Sequence, residues 1–217
     1  MLKFQLPKKG QDALKVLCIG AHSDDIEIGC GGTILRLLGE NRRVEVTWVV
    51  LGSNGKRDRE ALAGARSFLA GAKTNSVIVK HYKDGFFPYE GRQLKLFFEG
   101  LKARISPDII FTHCRHDLHQ DHRLISELTW STYRNHLILE YEIIKYDGDL
   151  GSPNVFVHLT EQMCARKIAF VLKAFRSQVG KDWFTADAFW SILRIRGIEC
   201  KAPEKYAEGF YCRKVVL

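Results

Sequence analysis

Two short stretches concentrate the ionisable side chains of this 217-residue chain. In "GAHSDDIEIGCGGT", from Gly20 to Thr33, an imidazole and a carboxylate stand three residues apart at His22 and Asp25. On a turn both can point at one cation, and zinc or ferrous iron accepts that mixture of nitrogen and oxygen. Two ligands do not complete a site. "RHDLHQDHR" offers His116, His119 and His122 as further candidates, and His119 and His122, three apart on a turn entering a helix, can face one centre. If the two stretches converge, the product is a centre able to activate water and polarise a carbonyl.

Convergence requires both stretches to end strands of one sheet. "KVLCIGA" (15–21), "VEVTWVVL" (44–51), "SVIVKHY" (76–82) and "DIIFTH" (108–113) are short and rich in β-branched or aromatic residues, as buried parallel strands should be. Helical patterns run between them, over about 32–39, 57–70, 91–105 and 120–134. That alternation predicts an α/β fold in a single domain spanning 1–217: Rossmann-like, with a mostly parallel sheet and helices on both faces. Beyond it, strands are expected at 137–146 and 154–159, helices at 161–177 and 185–196, and a closing strand in "GFYCRKVVL" (209–217). Ligands of open α/β sheets bind beyond the carboxyl ends of the strands. Those ends read "AHSDD", "GSNGKR", "HYKDG" and "THCRHDLHQDHR", all polar.

Composition bounds the reading. Hydrophobic residues make up 46% and charged residues 27%, ordinary for a soluble globular protein, and no apolar run is long enough for a membrane span. "MLKFQLPKKG" lacks the apolar region of a signal peptide. Six cysteines without a CxxC pair read as buried, reduced thiols of a cytoplasmic protein. The net charge of +8 raises nucleic acid as a partner, but the basic residues are scattered, with no block interleaved with aromatics. An acidic small substrate, such as a sugar phosphate or nucleotide-sugar, fits the same balance.

The residues carry a family resemblance. "AHSDDIEIGCGGT" resembles the AHPDD…GCGGT signature of the zinc-dependent N-acetylglucosaminyl deacetylases, the PIG-L/LmbE-like family. "PDIIFTHCRHDLHQDH" resembles its second signature, PDxVxTH…DxHxDH. "RDREALAGA", "KDG", "FRSQ…W" and "AEGF" follow in family order, so the likeness spans nearly the whole chain. It implies an LmbE-like fold and one divalent metal per chain, zinc or alternatively ferrous or another divalent ion, held by His22, Asp25 and His122. It implies Asp24 as catalytic base, His119 as the group that stabilises the oxyanion and protonates the amine, and Asp121 as the residue that orients it. The substrate implied is a small N-acetylated amino sugar or its conjugate, phosphorylated or nucleotide-linked forms included. Ser23 replaces the usual proline, Ile26 stands where a glutamate often follows the aspartate pair, and Phe175 takes a place often held by histidine or tyrosine.

The chemistry agrees with those roles. Asp25 cannot be ligand and free base at once, so Asp24 is the natural base for a metal-activated water. An amide leaves poorly as an anion, so a protonated His119, its charge favoured by Asp121, suits both the oxyanion and the departing nitrogen. Arg57 and Asp84, beyond the second and third strands, are candidate substrate-binding residues. His113 reads as a supporting or core histidine, His136 and His158 as structural, and Trp183 as a candidate wall of the cleft. The glycines of "GCGGT" read as tight strand-to-helix packing with Thr33 near the helix start; phosphate at that helix N-terminus is the alternative. A non-haem iron oxygenase also uses two histidines and a carboxylate, but gives Asp24 no role. The alternative from another class is a nucleotide-sugar or nucleic-acid binding module, which has no need of His22, Asp25 and His122 together.

Overall fold

The computed structural model describes residues 13–40 and 43–216. Strands β1 (Leu14–Gly20), β2 (Val44–Val50), β3 (Thr74–Val79), β4 (Ile109–His113), β5 (Leu137–Tyr141), β6 (Val155–Leu159) and β7 (Tyr206–Tyr211) form one sheet in the order β3-β2-β1-β4-β5-β7-β6. The first five are mutually parallel; β7 runs antiparallel to both β5 and β6. Helices α1 (Asp25–Gly39), α2 (Lys56–Phe68), α3 (Gly91–Lys102), α4 (Gln120–Thr132), α5 (Glu161–Ala174) and α6 (Ala186–Glu199) flank it. This is the α/β fold the alternation predicts.

The central strands β1 and β4 are buried almost throughout because both faces are covered, whereas the edge strand β3 is polar and exposed in its first half. Val16, Cys18, Trp48 and Phe111 meet α1, α2, α5 and α6 through Ile34, Phe68, Ile168 and Leu193. Leu17, Ile19, Val49 and Ile110 point the other way, toward Leu94 and Phe98 of α3 and Ile125 of α4. Each such side chain, fully buried, contributes about 1.5–3 kcal/mol. The chain leaves β1 for β2 and β3 on one side and returns on the other side as β4. The reversal therefore falls between β1 and β4, where their carboxyl ends open a crevice.

Helix α1 differs from expectation. It begins at Asp25, directly after the first motif, and not near residue 32. Glycine weakens a helix interior, so the run Gly29, Gly31 and Gly32 reads locally as a turn. Here its flatness admits neighbours: a Cβ at Gly29 would overlap the Tyr141 ring, and one at Gly32 would lie 2.5 Å from Leu159 Cδ1. Thr33 thus sits two turns inside the helix. The phosphate alternative fails at this turn, because the Glu208 carboxylate accepts the Gly32 and Thr33 N–H groups at 2.8 and 2.6 Å. Lys167 pairs with Glu208 at 2.6 Å and donates to the Ile28 carbonyl, so a buried ion pair locks α1 to α5 and β7.

Other boundaries move as well, among them those of β3, which spans Thr74–Val79 and not 76–82. β5 stops at Tyr141, since Glu142 turns away to bind Arg196 (2.6 and 2.7 Å). The last strand starts at Tyr206 and ends at Tyr211, earlier than 209–217, which places Glu208 against α1; residues 212–216 form no strand and 217 lies outside the described residues. Cysteines 18, 30, 114, 164 and 200 are buried, Cys212 is partly exposed, and all six are free. Among the described residues no helix is long and apolar enough to cross a membrane.

Candidate metal centre

The β1–β4 crevice brings both motifs together. His22 lies on the turn after β1, Asp25 opens α1, His119 caps α4 and His122 sits in its first turn. His22 Nδ1 and His122 Nε2 are 3.1 Å apart, His22 Nδ1 and Asp25 Oδ2 3.5 Å, and His122 Nε2 and Asp25 Oδ2 3.6 Å. Ligands about 2.0–2.2 Å from a tetrahedral zinc lie about 3.3–3.6 Å from one another. The triangle therefore fits one face of such a site. All three groups are largely withdrawn from water, with side-chain exposures of 12%, 5% and 4% for His22, Asp25 and His122.

Two more imidazoles crowd the triangle. His113, His119 and His122 stack, at centroid distances of 3.9 and 4.5 Å, and His113 Nε2 is 3.2 Å from Asp25 Oδ2. Sets containing His113 or His119 are thus also compact enough to hold an ion. Hydrogen bonding separates them. His113 Nε2 accepts the Ala21 N–H at 2.9 Å, so its lone pair is occupied, and its Nδ1 is buried without a partner. His119 Nδ1 accepts the Asp121 N–H at 3.2 Å, which places the proton of the neutral ring on Nε2. His22 and His122 turn ring nitrogens both toward each other and toward Asp25 Oδ2.

The outer nitrogen of each is held by carboxylates. His122 Nδ1 lies 2.9 Å from Asp117 Oδ2; His22 Nε2 lies 3.0 Å from Asp84 Oδ1 and 3.2 Å from Asp121 Oδ2. Such carboxylates fix the ring orientation and make the inner nitrogen a better ligand. Burial opposes charge on His22, but Asp121, Asp25 and Asp84 outweigh it and raise its pKa well above the ordinary value. For His122, burial and the neighbouring His113 push the pKa down to about 4. Burial opposes ionisation of Asp117, yet the hydrogen bond from His122, with His113 and Lys145, holds it at about 2. The Asp25 carboxyl, against its burial, is held well below the usual range by His122 and His113.

Asp24 is set apart from its neighbour. It caps α1, but its side chain makes no capping bond. Its Oδ1 instead accepts the Arg57 Nη2–H at 2.9 Å. Burial raises its pKa above the carboxylate norm, with Arg57 pulling the other way and Asp25 adding to the rise. A buried carboxylate of raised pKa is suited to proton transfer.

The Asp121 carboxylate makes no bond to the His119 ring. Fully buried, it accepts the Gly85 and Phe87 N–H groups at 2.7 and 3.1 Å and contacts His22, tying the loop after β3 to the β1–β4 crevice. Burial and the neighbouring His22 lower the His119 pKa, and its Nδ1 accepts the Asp121 N–H. Arg57 and Asp84 both stand at the crevice, but one is engaged by Asp24 and the other by His22, whose hydrogen bond holds Asp84 at about 2. Trp183 packs against the core beside Phe184, with Lys181 over its ring at 5.4 Å.

Asp117 escaped the sequence reading, though it stands in "DLHQDH", five residues before His122. Lys145, which bonds it, carries no motif at all. Glu27 also went unread: it is wholly buried, neither carboxylate oxygen has a partner, and burial pushes its carboxyl well above the normal range.

Fold and crevice together describe a Rossmann-like protein with a two-histidine, one-carboxylate cluster at its topological switch point. The chain belongs to the PIG-L family, whose model, described as GlcNAc-PI de-N-acetylase, matches residues 17–133, more than half its length. Among solved structures it resembles the N,N'-diacetylchitobiose deacetylase of Pyrococcus horikoshii, at 24% identity and a TM-score of 0.67, covering 97% of this chain and 87% of that one. The A40926 pseudoaglycone deacetylase Dbv21 matches at 15% identity and a TM-score of 0.70, with 95% and 100% covered. GalB, a 4-carboxy-2-hydroxymuconate hydratase from Pseudomonas putida, matches at 18% identity and 0.71, with 94% and 98% covered. At these identities the likeness defines the fold, which serves more than one reaction.

Proposed function

We propose that the protein is a divalent-metal hydrolase that removes the acetyl group from an N-acetylated amino sugar or its conjugate. The reading rests on one observation: two imidazole nitrogens and a carboxylate oxygen form a triangle of metal-ligand size, each imidazole held from behind by carboxylate. His22, Asp25 and His122 would hold the ion, with zinc the best match to this donor set. When bound, the ion supplies an acidified water and a polarised carbonyl.

This chain's residues do the rest. Asp24 takes the proton of the attacking water, its raised pKa making it a competent base. His119, neutral with its proton on Nε2, donates a hydrogen bond to the carbonyl oxygen as negative charge develops there. The amine needs a proton to leave, and Asp24 holds one after the attack. Membership of the PIG-L family and the two deacetylases of like fold support the amide of an amino sugar as the target. Arg57 gives less support to a phosphorylated or nucleotide-linked substrate than its position alone suggests, since Asp24 engages it. Six free cysteines fit a reducing compartment, and the reading places the enzyme in the cytoplasm.

The test is release of free amine from a panel of N-acetylglucosamine derivatives by zinc-loaded protein, with the metal-stripped protein as control. Amine from at least one derivative, abolished by stripping, is expected. A fully loaded protein inert on every derivative would overturn the reading.

A further inference from the structure

We propose that Lys145 is a positioning residue of the metal centre, a buried ammonium that fixes the carboxylate behind His122. The proposal rests on the metal-centre reading above. Lys145 follows β5, the strand beside β4, and its side chain is 10% exposed. Its Nζ lies 3.2 Å from Asp117 Oδ2, the same oxygen that meets His122 Nδ1 at 2.9 Å. The other oxygen of Asp117 accepts the His119 N–H at 2.8 Å. Both oxygens are thereby engaged, and the carboxylate has one orientation in which His122 keeps its inner nitrogen turned to Asp25.

The ammonium is itself anchored. Asp149, with a side chain only 6% exposed, forms a short ion pair with Nζ and accepts the Leu118 N–H at 2.7 Å. A closed ring results: Asp117, Leu118, Asp149, Lys145 and back to Asp117. It ties the loop carrying the second motif to the segment after β5, so the position of His122 depends on two strands and not on β4 alone. A buried charge is unfavourable unless paired, and an apolar residue would fill the same space at no electrostatic cost. Packing therefore does not explain a lysine here; a donor aimed at Asp117 does.

The probe is zinc itself, titrated into the stripped full-length protein against a chromophoric chelator, with the melting temperature of the metal-free protein read in parallel. Removing a group bonded directly to a ligating histidine typically weakens metal affinity about 10–100-fold, and for Lys145, one bond further out, the lower end, about 10-fold, is expected. Lys145→Met should show a loss of that size, and Lys145→Arg should restore most of it. Should Lys145→Met fail to fold, Asp149→Asn keeps the ammonium but loosens its anchor and should still weaken zinc, by a smaller factor. A merely structural lysine would lower the melting temperature and leave zinc affinity unmoved in folded variants. Wild-type affinity in folded Lys145→Met, or in Asp149→Asn where the former does not fold, would overturn the proposal. A wild-type protein that takes up no zinc would overturn the metal centre, and this role with it.

Discussion

His22 Nδ1 and His122 Nε2 lie 3.1 Å apart although a hundred residues separate them in the chain. Two basic nitrogens at that distance share either a proton or a cation, and Asp25 Oδ2, at 3.5 and 3.6 Å, supplies the negative charge that favours the cation. His22→Ala and His122→Ala should each lose bound zinc while retaining the fold. Elemental analysis of the dialysed proteins checks this, and full metal content in both variants would remove the site.

The two aspartates should separate by role. Asp24→Asn keeps size and polarity but removes the base, so it should hold its metal while turnover falls by roughly 10²–10⁴-fold, about 3–5 kcal/mol of barrier. A capping role for Asp24 would survive the change, since asparagine caps nearly as well; the absence of any capping bond argues against it. Near-normal turnover in a metal-replete variant would count decisively against the mechanism.

Arg57 tempers the proton affinity of Asp24. Burial raises the Asp24 pKa and the guanidinium restrains the rise. A base must be ionised, so activity should fall as pH drops through its pKa. Replacing Arg57 with Met removes the restraint, leaves the pKa higher still, and should move the acid limb of kcat/KM to higher pH. A limb that stays in place would assign it to another group.

Stability should be sensitive at the flat face of α1. A methyl group at Gly29 would overlap the Tyr141 ring, whose hydroxyl donates to the Ile19 carbonyl at 2.6 Å and holds β5 against β1. Gly29→Ala should therefore destabilise despite alanine's better helix propensity, by about 1–3 kcal/mol as overpacking does. Denaturant titration measures it. A stabilised variant would show that the ring moves freely.

Much of this protein is legible along the chain, because the signals are local. Burial makes β1, β2 and β4 largely apolar runs that can be read within a residue or two, and their polar ends mark where chemistry lies. Residue types at short spacing single out His22 and Asp25 and leave His116, His119 and His122 as candidates, among which the family resemblance picks His122. What the chain could not reveal is which side chain meets which across the fold. The glycine run reads as a turn until Tyr141 and Glu208 arrive from distant strands to make it helix. Asp121 sits beside His119 in sequence, yet its carboxylate turns to His22, because α4 begins there and directs its first turn at the loop after β3. Asp117 and Lys145 matter only through β4 and β5 lying side by side. Donor type is a property of residues, whereas which donors converge, and their tautomer, orientation and proton affinity, are set by neighbours that only tertiary packing supplies.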